Sequence, residues 1–305
     1  MAAGHAMLAS DFAPIDLIDR PDYLPFWTAA PQRAADYTFT NLWGWKDHYG
    51  LEWRTAHNLC WIRQTAVPGC EIAAERFWAP VGDWEAADWE AMPHLQPGLV
   101  LHRVPERLCE ILQERLPGRV VVEETREQWE YLYRRQDLAT LSGNRLHKKK
   151  NHVNGYMKAY GEDYRALGPA DAPAVLELQH AWCAWRGCGD SPSLAAESDV
   201  ICRVAQRWEA LPDVTGGALY IDGRMVAFAM GERLDDTSMV VHFEKALPDY
   251  RGIYQAINFC FAKYAGDPYE TLNREQDAGE EGLRQAKESY FPSGFLKKNL
   301  VRFVG

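Results

Sequence analysis

Asp222-Gly223 sits between two alternating apolar runs in GGALYIDGRMVAFAMGERL. An Asp-Gly loop suits the two-residue turn whose twist matches that of the strands it joins, so the segment predicts an antiparallel hairpin. The hairpin anchors the reading of its flanks. Upstream, DYRALGPADAPAVLELQHAWCAWRG gives a short strand, a Pro-Ala-Asp turn and a helix with Val175, Leu178 and Trp182 on one side. AAESDVICRVAQRWEALP gives a second helix, stopped by Pro212. Downstream, TSMVVHFEKA is a strand, and GIYQAINFCFAKYA a helix with Ile253, Ile257, Cys260 and Tyr264 on one face. YETLNREQD is a strand, and EEGLRQAKESYFP a helix with Glu280 and Glu281 in its favourable first turn. SGFLKKNLVRFVG closes the chain as a strand. The order over residues 163–305 is β-α-α-β-β-β-α-β-α-β, an α/β unit around a mixed sheet.

The first half carries the same kinds of element in a less regular order. PIDLIDRPDYLPFWTAA gives a strand and helix, WRTAHNLCWIRQ and CEIAAERFWAPVG give strands, and residues 103–116 give a helix. RVVVEETREQWEYLYRR reads as a strand leading into a helical or irregular segment. A chain of 305 residues has room for two cores, and a second, diverged copy of the α/β unit fits these elements. The expected division is an N-terminal domain over 1–142, a basic connecting helix over 143–162 and a C-terminal domain over 163–305.

Composition narrows the class. Hydrophobic residues at 47% and charged residues at 25% suit a soluble globular protein. No window approaches the ~18 uninterrupted apolar residues of a membrane helix, and the N-terminus lacks the basic and apolar regions of a signal peptide. Seven irregularly spaced cysteines suggest no disulfide framework, and a reducing cytoplasm fits best. Cys183 and Cys188, with His180 nearby, have no second pair to complete a zinc site and read as buried thiols, as do Cys60 and Cys260.

Between Asp137 and Glu162 there is no carboxylate, although the chain carries a net charge of −10. Arg145, Lys148, Lys149, Lys150 and Lys158 fall in that stretch, with His147 and His152. On a helix, Arg145, Lys148, Lys149 and His152 form one ridge, and Leu146, Val153, Met157 and Tyr160 a separate apolar stripe. A one-sided cationic helix in an anionic protein points to an anionic partner such as an RNA backbone. The alternative is a solvated face that balances acids from elsewhere.

The C-terminal element order resembles the GNAT acyltransferase fold, with ALGPADAPAVLEL as its opening and AKESYFPSGF as its final helix-turn-strand. In that fold the strands at 239–245 and 269–277 are parallel neighbours that splay apart at the acyl-donor cleft. Alternation puts His242 and Glu244 on one face of the first strand, and Asn273, Glu275 and Asp277 on one face of the second. A carboxylate there can deprotonate an attacking nucleophile: Glu244 is the first candidate base, Glu275 or Asp277 the second. The structural alternative pairs these acids with Lys245, Arg274 and Lys287. Tyr290 stands where such enzymes place a tyrosine general acid, and equally suits a buried aromatic cap. The CoA-binding pattern of the fold, Arg/Gln-x-x-Gly-x-Gly/Ala, maps onto Arg251 to Ala256 but meets Tyr254 at its first glycine. A side chain there obstructs the approach of phosphate to backbone amides, which argues against ordinary acetyl transfer.

HFEKALPDYRGIYQAINFCFAKYA and NREQDAGEEGLRQAKESYFP resemble the DUF2156 family, similar to the C-terminal catalytic domain of phosphatidylglycerol lysyltransferases and to Fem-type peptidyltransferases. NRLHKKKNHVNGYMKAYG is similar to their basic helix. The resemblance implies a tandem GNAT architecture and aminoacyl transfer from aminoacyl-tRNA to an amine or hydroxyl. The lipid-modifying relatives carry a large membrane region, and this sequence shows none. The implied roles are donor phosphate binding by Arg145, Lys148, Lys149, Lys150 and Arg251, and acceptor binding by His242, Asn258, Asn273 and Lys287. No cofactor beyond the acyl donor is expected, with tRNA as the partner. The alternatives are an acyl-CoA-dependent N-acyltransferase and a non-catalytic module that binds RNA or protein.

Overall fold

The computed structural model describes residues 12–66 and 75–305, so the CEIAA part of the expected strand at 70–82 lies outside the described residues. In chain order the first half contains β1 (Ala13–Pro14), α1 (Arg20–Ala29), α2 (Phe39–Gly44), α3 (Lys46–Tyr49), β2 (Leu51–Ala56), β3 (Leu59–Gln64), β4 (Arg76–Trp78), β5 (Val81–Gly82), β6 (Val100–Pro105), α4 (Glu106–Arg115) and β7 (Val120–Glu124). Then follow β8 (Glu130–Arg134), α5 (Arg135–Thr140), α6 (His147–Tyr160), β9 (Tyr164–Leu167), α7 (Ala172–Arg186), α8 (Pro192–Gln206), β10 (Val214–Ile221), β11 (Arg224–Arg233) and β12 (Ser238–Ala246). The chain ends with α9 (Ile253–Tyr264), β13 (Thr271–Asn273), α10 (Glu281–Glu288), β14 (Gly294–Leu296) and β15 (Lys298–Phe303). The element order expected for 163–305 is present, with the closing strand divided into β14 and β15.

Two compact units form, one from residues 1–130 with 296–305 and the other from 131–295. These boundaries differ from the expected 142/143 and 162/163 for two reasons. The segment expected to be helical or irregular contains β8, whose 132–134 stretch pairs with β13 of the second sheet. The last strand, β15, leaves the C-terminal unit and pairs with β6 and β7 of the first. The basic helix α6 is likewise no connector: it lies inside the second unit, packed on α9.

The first unit's sheet runs β1-β2-β3-β4-β6-β15-β7, with β4 and β6 parallel and β5 on β3. Its core is aromatic, with Tyr23, Trp61, Trp84 and Trp89 almost wholly buried. Three buried charges and the partly exposed Arg103 tie β15 in. Lys298 of β15 bonds Asp36 and Glu130, Asp36 also bonds Arg103, and Glu130 accepts the Ala35 amide at 2.9 Å. Burial opposes ionisation of Asp36, but Lys298 and Arg103 outweigh it and hold its carboxyl below the usual range.

The second unit's sheet runs β14-β8-β13-β12-β11-β10-β9. The Asp222-Gly223 hairpin forms between β10 and β11, with both residues at positive φ as that turn requires. β12 and β13 pair in parallel only over Ser238–Val240 and Thr271–Asn273, after which the strands separate. Each unit is thus a mixed sheet flanked by helices, an α/β arrangement. The core beside the second sheet gathers Met239, Val241 and Ala246 of β12, Ile253, Ile257 and Cys260 of α9, Val153 and Tyr156 of α6, and Tyr131, Tyr133 and Tyr290. Cys60 and Cys260 are buried free thiols as expected, whereas Cys183 and Cys188 are joined in a disulfide. The turn after α7, with Gly187 at positive φ, brings those two together at a Cα separation of 5.0 Å.

Candidate functional site

The site lies where β12 and β13 part, and a bulge decides which residues enter it. Met230 of β11 opposes Phe243, but Gly231 opposes Val241, so His242 is an extra residue in β12. Beyond the bulge Glu244 comes to the side where α9 packs, and its Oε2 accepts from Asn258 Nδ2 at 3.2 Å. His242 does not join it, contrary to simple alternation. Its Nδ1 meets Glu275 Oε1 at 2.7 Å and its Nε2 meets Glu232 Oε1 at 3.0 Å. Burial opposes the charged ring, yet the two carboxylates outweigh it and raise its pKa to about 10. An imidazolium clasped on both nitrogens has no free lone pair to offer an acceptor.

The other second-strand candidates are committed to holding the loop after β13. Glu275 binds His242, with its backbone at φ 54° and its amide donating to Asn273 Oδ1 at 2.8 Å. Asp277 is fully buried and accepts from Tyr131 Oη at 2.7 Å, Arg284 Nε at 2.8 Å and the Gly279 amide at 2.9 Å. Burial alone would raise the Asp277 carboxyl, but those donors push it well below the carboxylate range, so it cannot take a proton near neutrality. Lys287 donates to the carbonyls of Arg274 at 2.6 Å, Glu275 at 3.2 Å and Gln276. It clamps the loop rather than facing a ligand.

Glu244 keeps a different company. Arg274 Nη2 approaches its Oε2 at 3.5 Å, and both side chains are 15% exposed. Arg274 also lies 5.2 Å from the Tyr290 ring centroid, and the Lys149 ammonium lies 4.3 Å from that same centroid. Burial raises the pKa of the Tyr290 phenol, so it stays protonated and able to donate. Burial first, and Arg274 second, lower that of Lys149. Two buried polar atoms here have no hydrogen-bond partner, Arg274 Nη1 and Asn258 Oδ1. An orphan donor and an orphan acceptor beside one carboxylate are a costly arrangement unless a ligand satisfies them. The structure thus brings together Glu244, Asn258, Tyr290 and Lys149 of the expected set. It adds Arg274, which the sequence offered only as a structural partner for the acids.

The cationic helix opens onto this cluster. Lys148, Lys149 and Lys150 fall in the first turn of α6, which has no acidic residue there to offset the positive end of the helix dipole. Arg145, in the short turn before it, stacks on Phe291 at 5.3 Å. Arg145, Lys148 and Lys150 are exposed, and among the described residues none of them, nor Lys149, has a carboxylate partner. The ridge is therefore not neutralised from elsewhere. Arg251 is exposed too and joins Asn151, His152, Gly155, Ala159 and Tyr160 around a groove of about 380 Å³. Gly252, at φ +84°, lets the loop lie against the helix, since a Cβ there would stand 2.6 Å from the His152 carbonyl oxygen.

Tyr254, in the first turn of α9, reaches the end of β12. Its hydroxyl accepts from Trp182 Nε1 at 2.7 Å and bonds the Ala246 backbone. On the α7–α8 side, Lys245 pairs with Glu197 at 2.7 Å and sits 4.3 Å over Trp182. No group of three or more potential metal ligands occurs among the described residues, and no described helix is long and apolar enough to cross a membrane.

Comparison with known proteins bears on the family and the fold. The signature of the family described as "Phosphatidylglycerol lysyltransferase, C-terminal" matches residues 27–302. A conserved protein of unknown function from Bacteroides thetaiotaomicron is 30% identical, with 96% of this chain and 99% of that one covered and a TM-score of 0.83. The C-terminal DUF2156 domain of an Agrobacterium fabrum protein shares the fold at 13% identity, covering 93% of this chain and 92% of that one with a TM-score of 0.63. An uncharacterized protein of Mycoplasmoides gallisepticum is 24% identical over 176 residues, 57% of this chain, and the match spans 56% of that relative's length.

Proposed function

The chain belongs to the phosphatidylglycerol lysyltransferase C-terminal family and is an acyltransferase of that group, and from this premise we propose that it moves an aminoacyl group from aminoacyl-tRNA to an amine or hydroxyl acceptor. One observation carries the reading. A single helix holds unneutralised cations on its surface and delivers one of them, Lys149, to the Tyr290 ring beside Glu244. Arg145, Lys148, Lys150 and Arg251 would take the donor's phosphates as fixed positive charge. Asn258 Oδ1 would orient the attacking N–H or O–H, and Glu244 would accept its proton as the new bond to the acyl carbon forms. Arg274 Nη1 would donate to the oxygen that gains charge. The bond to the ribose oxygen then breaks, and the Tyr290 hydroxyl is the proton source for the leaving oxygen. Ester aminolysis has a modest barrier, so positioning supplies much of the rate.

Tyr254 favours this donor over CoA, because in sequence it stands where the fold's coenzyme motif has glycine, and a side chain at that position opposes the approach of phosphate to backbone amides. The test is binding of charged tRNA at increasing salt, followed by transfer of labelled amino acid to added amines and glycerol-type hydroxyls. Salt-sensitive binding with transfer is the expected result. Tight binding of acetyl-CoA by calorimetry, with no affinity for charged tRNA, would overturn the proposal.

A further inference from the structure

The family is named for lysyl transfer, but the charges around this cleft do not suit a lysyl group. An esterified lysine brings two ammonium groups, one at its α-carbon and one at its side-chain tip. Each needs an acceptor when taken from water. The elements that build the cleft are β12, the segment 271–277, α6, α9 and the α10 turn. Neither α6 nor α9 contains a carboxylate, and on β12 the sole acid is Glu244. In 271–277, Glu275 holds His242 and Asp277 holds Arg284 and Tyr131. On α10, Glu281 and Glu288 are exposed. Across the strand, Glu197 is spent on Lys245.

What remains is one carboxylate, Glu244, with the partnerless Asn258 Oδ1 beside it, and the reading above gives both to the attacking nucleophile. Opposite it stand two cations, Arg274 with its buried unbonded Nη1 and Lys149 without a carboxylate partner. The α-ammonium is common to every aminoacyl donor and does not discriminate between them. A lysyl side-chain ammonium would meet like charge instead of an acid.

We infer that this cleft takes aminoacyl groups with neutral or acidic side chains and rejects lysyl and arginyl groups, Lys149 and Arg274 being the residues that discriminate. The inference rests on the aminoacyl-tRNA reading above. A bound acidic side chain would be attracted to Lys149, and a small neutral one would leave the cations to the donor's phosphate and the reacting oxygen.

The experiment uses the full chain and one tRNA body charged in turn with alanine, glutamate or lysine, so that only the acyl group varies. Filter binding is measured beside the uncharged form. The alanyl and glutamyl forms should bind at least about tenfold tighter than the lysyl form, the factor a like charge without a counter-ion imposes in a partly desolvated cleft. Lys149→Glu should move that ratio towards lysyl by about tenfold or more, and Lys149→Met should move it about half as far on a logarithmic scale, with circular dichroism confirming the fold of both. Lysyl binding as tight as alanyl binding in the wild type overturns the inference and leaves the donor reading standing. Charged and uncharged tRNA binding equally, or neither binding, overturns both.

Discussion

His242 offers a test that needs no substrate. The ring is clasped by Glu275 at 2.7 Å and Glu232 at 3.0 Å and has a pKa of about 10, against 6.5 for an ordinary histidine. A folded pKa above the unfolded one means the native state binds the proton more tightly. The resulting stability is complete below pH 6.5, declines as pH rises beyond it, and is gone above about pH 10. The slope in that window reaches about 1.4 kcal/mol per pH unit. Glu275 is 22% exposed and can recover water when the ring neutralises. A net loss of roughly 2–4 kcal/mol between pH 6.5 and 9.5 is therefore expected, less than the ideal slope gives. Chemical denaturation followed at both pH values should show it in the wild type. His242→Gln should be less stable at pH 6.5 and should lose much less on the same rise, so the difference between the two proteins isolates the histidine from other titrations. An NMR titration is the direct check: the imidazole should stay protonated through pH 8.5. A ring that titrates near 6.5 would refute the two-carboxylate clasp, and would return His242 to the candidate acceptor-binding residues.

Other outcomes follow from particular contacts. Lys298→Met removes the cation between Asp36 and Glu130 and should destabilise the first unit by about 3–5 kcal/mol; adding Asp36→Asn and Glu130→Gln should restore part of it in urea titrations. Lys148→Glu with Lys150→Glu should weaken tRNA binding and flatten its log–log salt dependence by roughly 1–2, while melting is nearly unchanged because both side chains are exposed. Gly252→Ala forces a Cβ to within 2.6 Å of the His152 carbonyl oxygen at φ +84° and should cost about 1–3 kcal/mol in thermal or denaturant unfolding.

Much of the second unit was legible because its signals are local. The Asp222-Gly223 turn and the helical periods of α7 and α9 each depend on neighbours in sequence, whereas α8 ends at Gln206, ahead of the stop expected at Pro212. The errors trace to contacts between distant segments. β8 and β15 each have the sequence of a strand, but which sheet receives them is settled by pairing with β13 and with β6 and β7. Asp277 and Glu275 looked like free carboxylates because Tyr131 and Glu232, which settle their surroundings, lie in other strands. Alternation misplaced His242 because a one-residue bulge carries no sequence mark here. Arg274 stood in plain view inside NREQD, yet its place over Tyr290 and beside Glu244 depends on the splay of β12 from β13. The expected thiols at 183 and 188 pair because the α7 turn folds back on itself.

The proposed chemistry turns on Glu244. The deciding measurement is the single-turnover rate of labelled aminoacyl transfer by the wild type and by Glu244→Gln, with charged-tRNA affinity measured in parallel. A fall of about 10²–10⁴ in rate at nearly constant affinity is predicted for loss of a general base. A glutamine variant that transfers within about threefold of the wild type, a difference of under 1 kcal/mol, would show that Glu244 serves only to neutralise Arg274 and would contradict the account.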